Sequence, residues 1–233
     1  IMSILVVLLF FAFLVLLVYF AFGRPYKRWQ ELILSSGYTE QNELDKQIME
    51  DLSNVFDPQD VHDVYKKEEG RCLISWVIEV DPGPSEEPIS PYLVLSAENA
   101  KLPSLLLSNQ HYPENKVPKM FKSFYEKVTR SSSRFVKEND LKLLQGMSDV
   151  LGLPEFAIMG RNEEDIALIS SGLKEVLQDW PPEKLVHVFL NENYVIIKPS
   201  GLRKLADWQN HLESKDKLLR VLAETSPGTI FVQ

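Results

Sequence analysis

The chain has a single cysteine, Cys72, in 233 residues. A lone thiol excludes an internal disulfide and a thiolate metal cluster, and it fits a reducing compartment. It falls on an apolar strand pattern, where a thiol behaves as a small hydrophobe. Histidine is scarce as well: His62, His111, His187 and His211 are scattered without ligand spacing. Asp57, Asp60 and Asp63 lie near His62, yet helix capping accounts for those carboxylates. His187 falls inside LVHVFL, where a hydrogen-bonded sheet histidine is the expectation. HExxH, CxxC, GxSxG, GxGxxG and phosphate-loop patterns are all missing. Gly152, Gly160 and Gly172 are isolated, and the pairs Glu68-Glu69 and Glu86-Glu87 read as solvated charge runs. No catalytic residue, cofactor or metal ligand is therefore assigned, and a non-catalytic role is expected. Internal repeats are lacking too, which excludes solenoid and propeller architectures.

Positive charge is the minority, with a net charge of −8. The exception is residues 116–142, which hold 8 basic and 3 acidic side chains. An acidic chain with one basic segment lacks the dominant positive field that nucleic-acid binding requires, so no nucleic-acid partner is expected.

Charge is entirely missing from Ile1 to Phe22, IMSILVVLLFFAFLVLLVYFAF. At ~1.5 Å rise per residue such a run is about long enough to cross a ~30 Å hydrocarbon core. A secretory leader wants a basic start and a shorter apolar region, and a core helix wants a polar face; neither is present. The expectation is a transmembrane helix over 1–23 and a juxtamembrane helix or linker over 24–37. Arg24, Lys27 and Arg28 follow the span, so the positive-inside bias puts the N-terminus outside and the C-terminal domain in the cytoplasm. Tyr26 and Trp29 suit the headgroup level, where an amphipathic ring keeps one end wet. The bilayer and other integral membrane subunits are the expected partners.

Residues 38–233 read as one α+β domain of antiparallel sheet segments with packed helices, with a possible subdivision near 110–115. Helices are expected over Tyr26–Ser36, Glu40–Phe56, Asp57–Lys66, Lys116–Arg130, Asp140–Leu151, Asn162–Trp180 and Leu202–Glu224. The Asp57-Pro58 pair suggests a helix start, and Asn162 with Glu163, Glu164 and Asp165 suggests another. Strands are expected over Arg71–Val80, Tyr92–Ser96, Leu102–Ser108, Pro154–Met159, Leu185–Leu190, Tyr194–Lys198 and Thr229–Gln233. In RCLISWVIEV, alternation puts Cys72, Ile74, Trp76, Ile78 and Val80 on one face. Asp81–Pro91 is an exposed Pro-rich loop.

The order of the Phe156 strand, the acidic-capped helix NEEDIALISSGLKEVLQDW, the hairpin KLVHVFLNENYVIIKPS and a closing helix resembles uncharacterised bacterial single-pass membrane-anchored proteins. The resemblance covers about the last third of the chain and the strand around Trp76. It implies an α+β domain behind one or two spans, and it transfers no active site.

One segment carries a sharper pattern. Val117, Met120, Phe121, Phe124, Tyr125 and Val128 form an apolar stripe at helical spacing, while Lys119, Lys122, Lys127 and Arg130 occupy the other faces. Such a helix suits a lipid or partner surface as well as an ordinary core position. The functional expectation is a membrane-anchored accessory or scaffolding subunit of a larger complex. The alternatives are a tethered enzyme or ligand-binding domain with dispersed site residues, or a lipid or peptide sensor using residues 116–130.

Overall fold

The computed structural model describes residues 2–19, 23–69, 73–80, 90–97, 101–109, 133–180, 185–199 and 205–225. Its centre is a nine-stranded antiparallel sheet in the order β1-β2-β3-β4-β9-β8-β5-β7-β6. The strands are β1 (Thr39–Gln41), β2 (Val61–Glu68), β3 (Leu73–Val80), β4 (Ser90–Ala97) and β5 (Leu102–Ser108). They continue with β6 (Lys142–Leu143), β7 (Ala157–Gly160), β8 (Leu185–Glu192) and β9 (Tyr194–Pro199). The helices are α1 (Met2–Val18), α2 (Arg24–Ser35), α3 (Lys46–Leu52), α4 (Arg134–Glu138), α5 (Met147–Leu151), α6 (Glu164–Ala167), α7 (Ser171–Asp179) and α8 (Leu205–Thr225).

The α+β reading of the sequence, a large antiparallel sheet with packed helices, is what the fold shows. Strands from both sides of residues 110–115 alternate within this one sheet, because β4 pairs with β9 and β5 with β8.

Both faces of the sheet are covered. The apolar runs in β3, β4 and β9 are nearly continuous rather than alternating, as strands buried on both sides require. On one face Val77, Leu93, Leu95, Val195 and Ile197 meet Trp29 and Ile33 of α2, Leu173 and Leu177 of α7, and Trp208, Leu212 and Leu219 of α8. On the other, Trp76, Ile78, Val94 and Ile196 meet Leu52 of α3 and Phe135 and Val136 of α4. Ile74, Trp76, Ile78 and Val80 share this second face as alternation required; Cys72 lies outside the described residues.

Several expectations are corrected. Residues 40–56 are not one helix: Thr39–Gln41 pairs with β2, and α3 begins only after Asp45, whose Oδ1 accepts from the Gln47 amide. The expected helix over Asp57–Lys66 is a single 3-10 turn, Pro58–Asp60, followed by strand β2. Asp57 does cap that turn by accepting from the Gln59 amide, but the β-branched and aromatic Val61, Val64 and Tyr65 then pair with β3. The expected helix over 140–151 is interrupted by Asp140 at φ 51° and Gly146 at φ 75°, between which Lys142–Leu143 pairs with β7. The helix expected over Asn162–Trp180 is two, α6 and α7, because Ser170 turns extended and its hydroxyl accepts from the Leu173 amide. The strand expected at Pro154–Met159 runs instead over Ala157–Gly160.

The helix α1 spans 17 residues, about 26 Å at ~1.5 Å per residue. Among the described residues no helix is long and apolar enough to cross a membrane; the span expected over 1–23 also takes in Ile1, Phe20, Ala21 and Phe22, which lie outside the described residues. The strand expected at Thr229–Gln233, the helix expected over Lys116–Arg130 and residues 81–89 of the loop expected over Asp81–Pro91 also fall outside them, while Ser90 and Pro91 belong to β4.

Candidate functional site

The region of interest is the N-terminal part of the chain, α1 and the helix α2 that follows it. Every residue from Val7 to Leu17 is exposed, with Leu9 at 62%, Phe11 at 60% and Val15 at 67%. Consecutive residues turn to every side of a helix, so α1 presents an apolar surface all round. An exposed apolar surface this continuous marks an interaction with lipid or protein.

Five residues further on, α2 is part of the core. Its amphipathic spacing puts Trp29 and Ile33 on the sheet side, 1% and 0% exposed, and leaves Arg24, Lys27 and Arg28 outward. Trp29 stacks against Tyr26 at 5.6 Å and meets Trp208 and Tyr65 edge to face at 5.6 and 5.8 Å. Such aromatic pairs are each worth about 0.5–1.5 kcal/mol beyond their buried area. The headgroup position expected for Trp29 is therefore corrected, because its indole is occupied by α8 and β2. At the far end, α2 stops at Gly37, whose φ of 88° is a left-handed conformation that glycine adopts without penalty.

Tyr26 also turns inward. Its hydroxyl is hydrogen-bonded to Asp63 of β2 and to Glu79 of β3. The register explains how the two carboxylates meet. Val61 faces Val80 and Val64 faces Ile78, so His62 and Asp63 together oppose the single residue Glu79, a β-bulge. The regular register of Tyr65 with Val77 and Val64 with Ile78 leads on to Asp63, and alternation from Tyr65 and Val77 puts Asp63 and Glu79 on one face. Glu79 is 5% exposed. Burial, with Asp63 beside it, outweighs the Tyr26 hydrogen bond and pushes its pKa up to about 7. Burial and the same two carboxylates push the Tyr26 phenol well above its ordinary range. Next to them Gln30 donates to the Tyr65 hydroxyl at 3.0 Å, and burial raises Tyr65 to about 12.

A second polar cluster closes the other end of α2. Lys215 of α8, 2% exposed, pairs with Glu69, which also accepts from the Ser75 hydroxyl at 2.9 Å. Asp216 lies 3.2 Å from the same ammonium, and the Tyr38 ring centroid lies 5.3 Å away. Burial opposes the Lys215 charge, but Tyr38, Glu69 and Asp216 outweigh it and hold the pKa above the ordinary lysine value. Lys67 reaches Glu69 at 3.7 Å and the Tyr38 ring at 5.9 Å. Tyr38, Lys67, Lys215 and Asp216 border a cleft of about 240 Å³ with Leu32, Ser36, Gln209 and Leu212. Small-molecule pockets run to about 300–1,000 Å³ and are mostly apolar, so this cleft is small and polar by comparison.

Among the described residues no three His, Cys, Asp or Glu side chains are arranged to hold a metal ion. Lys119, Lys122, Lys127 and Arg130 lie outside those residues. Sequence reasoning missed the Tyr26–Asp63–Glu79 and Lys215–Glu69 clusters, though each leaves a trace. Glu79 is the one charge in LISWVIEV, and Lys215 interrupts the helical stripe of Trp208, Leu212, Leu219 and Leu222.

A broad antiparallel sheet with helices on both faces, preceded by an exposed apolar helix, defines the class: an α+β domain with an apolar N-terminal extension. No family model matches the chain, and no curated protein matches it. Among solved structures it is similar to the crystal structure of the mycobacterial trehalose monomycolate transport factor A, TtfA. The identity is 14%, the TM-score 0.51, and the match covers 88% of this chain and 96% of that one. At that identity the likeness is one of fold.

Proposed function

We propose that this protein is a membrane-anchored accessory subunit whose sheet domain works beside integral membrane proteins. The observation that carries the proposal is the continuous exposed apolar surface of Val7–Leu17, which in water would be unfavourable by about 25 cal/mol per Å². Burial in a bilayer, extended through the apolar residues 20–22, removes that cost. The outward Arg24, Lys27 and Arg28 at the start of α2 then mark the cytoplasmic boundary. Because Trp29 and Ile33 are locked in the core, the domain is held close to the bilayer rather than on a long tether. The fold likeness to a transport factor supports an accessory role in a membrane process. Motif-based chemistry does not enter this reading.

Purification of the full chain in mild detergent tests it. Co-purification of one or more integral membrane proteins in fixed stoichiometry is the expected result. A monodisperse monomer that recruits no membrane protein at native expression level would overturn the accessory role.

A further inference from the structure

The hydroxyl of Tyr26 has one hydrogen, yet two carboxylates, Asp63 and Glu79, are hydrogen-bonded to its oxygen. One hydroxyl hydrogen satisfies one acceptor. The second link requires a proton on one of the two carboxyl groups, which then donates to the phenol oxygen or to its neighbour. Two ionised carboxylates on a single oxygen would instead repel each other in a site where Glu79 is 5% exposed.

We propose that Tyr26, Asp63 and Glu79 form a proton-operated latch that fastens the first turn of α2, and with it the apolar helix α1, to the sheet. The proton closes the latch; its loss opens it. The location gives the latch its consequence, because Tyr26 lies two residues beyond Arg24 and eight beyond Val18. Trp29 and Ile33 hold the remainder of α2 in the core, so opening frees only the turn next to the apolar helix. The angle between apolar helix and domain then becomes sensitive to proton concentration.

The groups facing the latch come from every strand around it. His62 of β2, when charged, favours the Glu79 anion, while Asp63 disfavours it. Tyr65 of β2 and Glu40 of β1 stand further along, and Gln30 of α2 occupies the Tyr65 hydroxyl. Opposite Glu79 on β4 stands Pro91, which brings no charge. Burial is the largest influence on Glu79, and its pKa of about 7 places the opening within the physiological range.

Hydrogen exchange of the full chain in detergent or nanodiscs tests the latch. With intrinsic exchange rates corrected, protection of the amides of residues 24–30 should fall about tenfold between about pH 6 and pH 8.5, as a carboxyl moved from 4.5 to about 7 requires. Glu79→Gln copies the protonated form and should keep the segment protected throughout. Asp63→Asn, which removes the competing charge, should also flatten the profile. In infrared spectra a protonated-carboxyl band should be present near pH 6 and disappear in Glu79→Gln. Identical pH profiles for the native chain and Glu79→Gln, or the lack of that band near pH 6, would overturn the proposal.

Discussion

Replacing Glu69 by glutamine is expected to destabilise the domain more than replacing its partner Lys215 by methionine, although both remove the same ion pair. Lys215 is 2% exposed and Glu69 14%. Glu69→Gln leaves an ammonium buried in the α8 interface, with Asp216 at 3.2 Å as its nearest counter-charge. Removing one partner of a buried pair costs about 3–5 kcal/mol, and the half-solvated Asp216 reduces that here to about 2–3 kcal/mol. Lys215→Met removes the buried charge and keeps the stem that packs on Tyr38. Glu69 then retains Lys67 at 3.7 Å and the Ser75 hydroxyl, so the cost is about 1 kcal/mol or less. The double variant should resemble Lys215→Met alone, giving a coupling of about 2–3 kcal/mol. Urea unfolding in mild detergent, followed by tryptophan fluorescence, reads this directly. With a slope of about 2 kcal/mol/M, Glu69→Gln should lower the midpoint by about 1 M and Lys215→Met by less than half as much. Equal losses for the two single variants, or strictly additive ones, would refute the reasoning, since the buried ammonium would then not be the cost.

Other outcomes follow from the same structure. Trp29→Ala should cost about 3–5 kcal/mol in the same unfolding assay, because it opens a cavity among Tyr26, Tyr65 and Trp208. Gly37→Ala should cost about 1 kcal/mol, since φ is 88° there and an alanine resists the left-handed region. Stability should decline as pH rises from about 4.5 to 7: Glu79 is raised above its ordinary value in the folded state, so the folded chain binds more protons across that window. That loss is on the order of 1–3 kcal/mol, and Glu79→Gln should abolish it and exceed the native chain in stability above pH 7.

Much of the sheet was legible because its strands combine β-branched and aromatic residues with turn signals at both ends. Leu102–Ser108 and Tyr194–Lys198 are found almost residue for residue. Strand β2 was not, because Val61, Val64 and Tyr65 fall at helical spacing; the bulge at His62–Asp63 shifts the alternation and imitates that period. The Asp57-Pro58 cap reinforced the wrong reading, being equally suited to a single 3-10 turn. Ser170 divides a helix that read as continuous, since the cap competes with helix propagation only once Leu173 and Val176 are drawn onto the sheet. The inward turn of Tyr26 and Trp29 escaped notice for a different reason. Next to an apolar run and three basic residues an aromatic ring has two favourable environments, the headgroup layer and the core, and only tertiary contacts with Asp63, Glu79 and Trp208 decide between them.

Extraction of native membranes with alkaline carbonate, which strips peripheral proteins and leaves anchored ones in the pellet, tests the anchoring by the apolar N-terminal residues most directly. The full-length chain should remain in the membrane pellet until detergent is added, whereas its recovery in the carbonate supernatant would contradict the account.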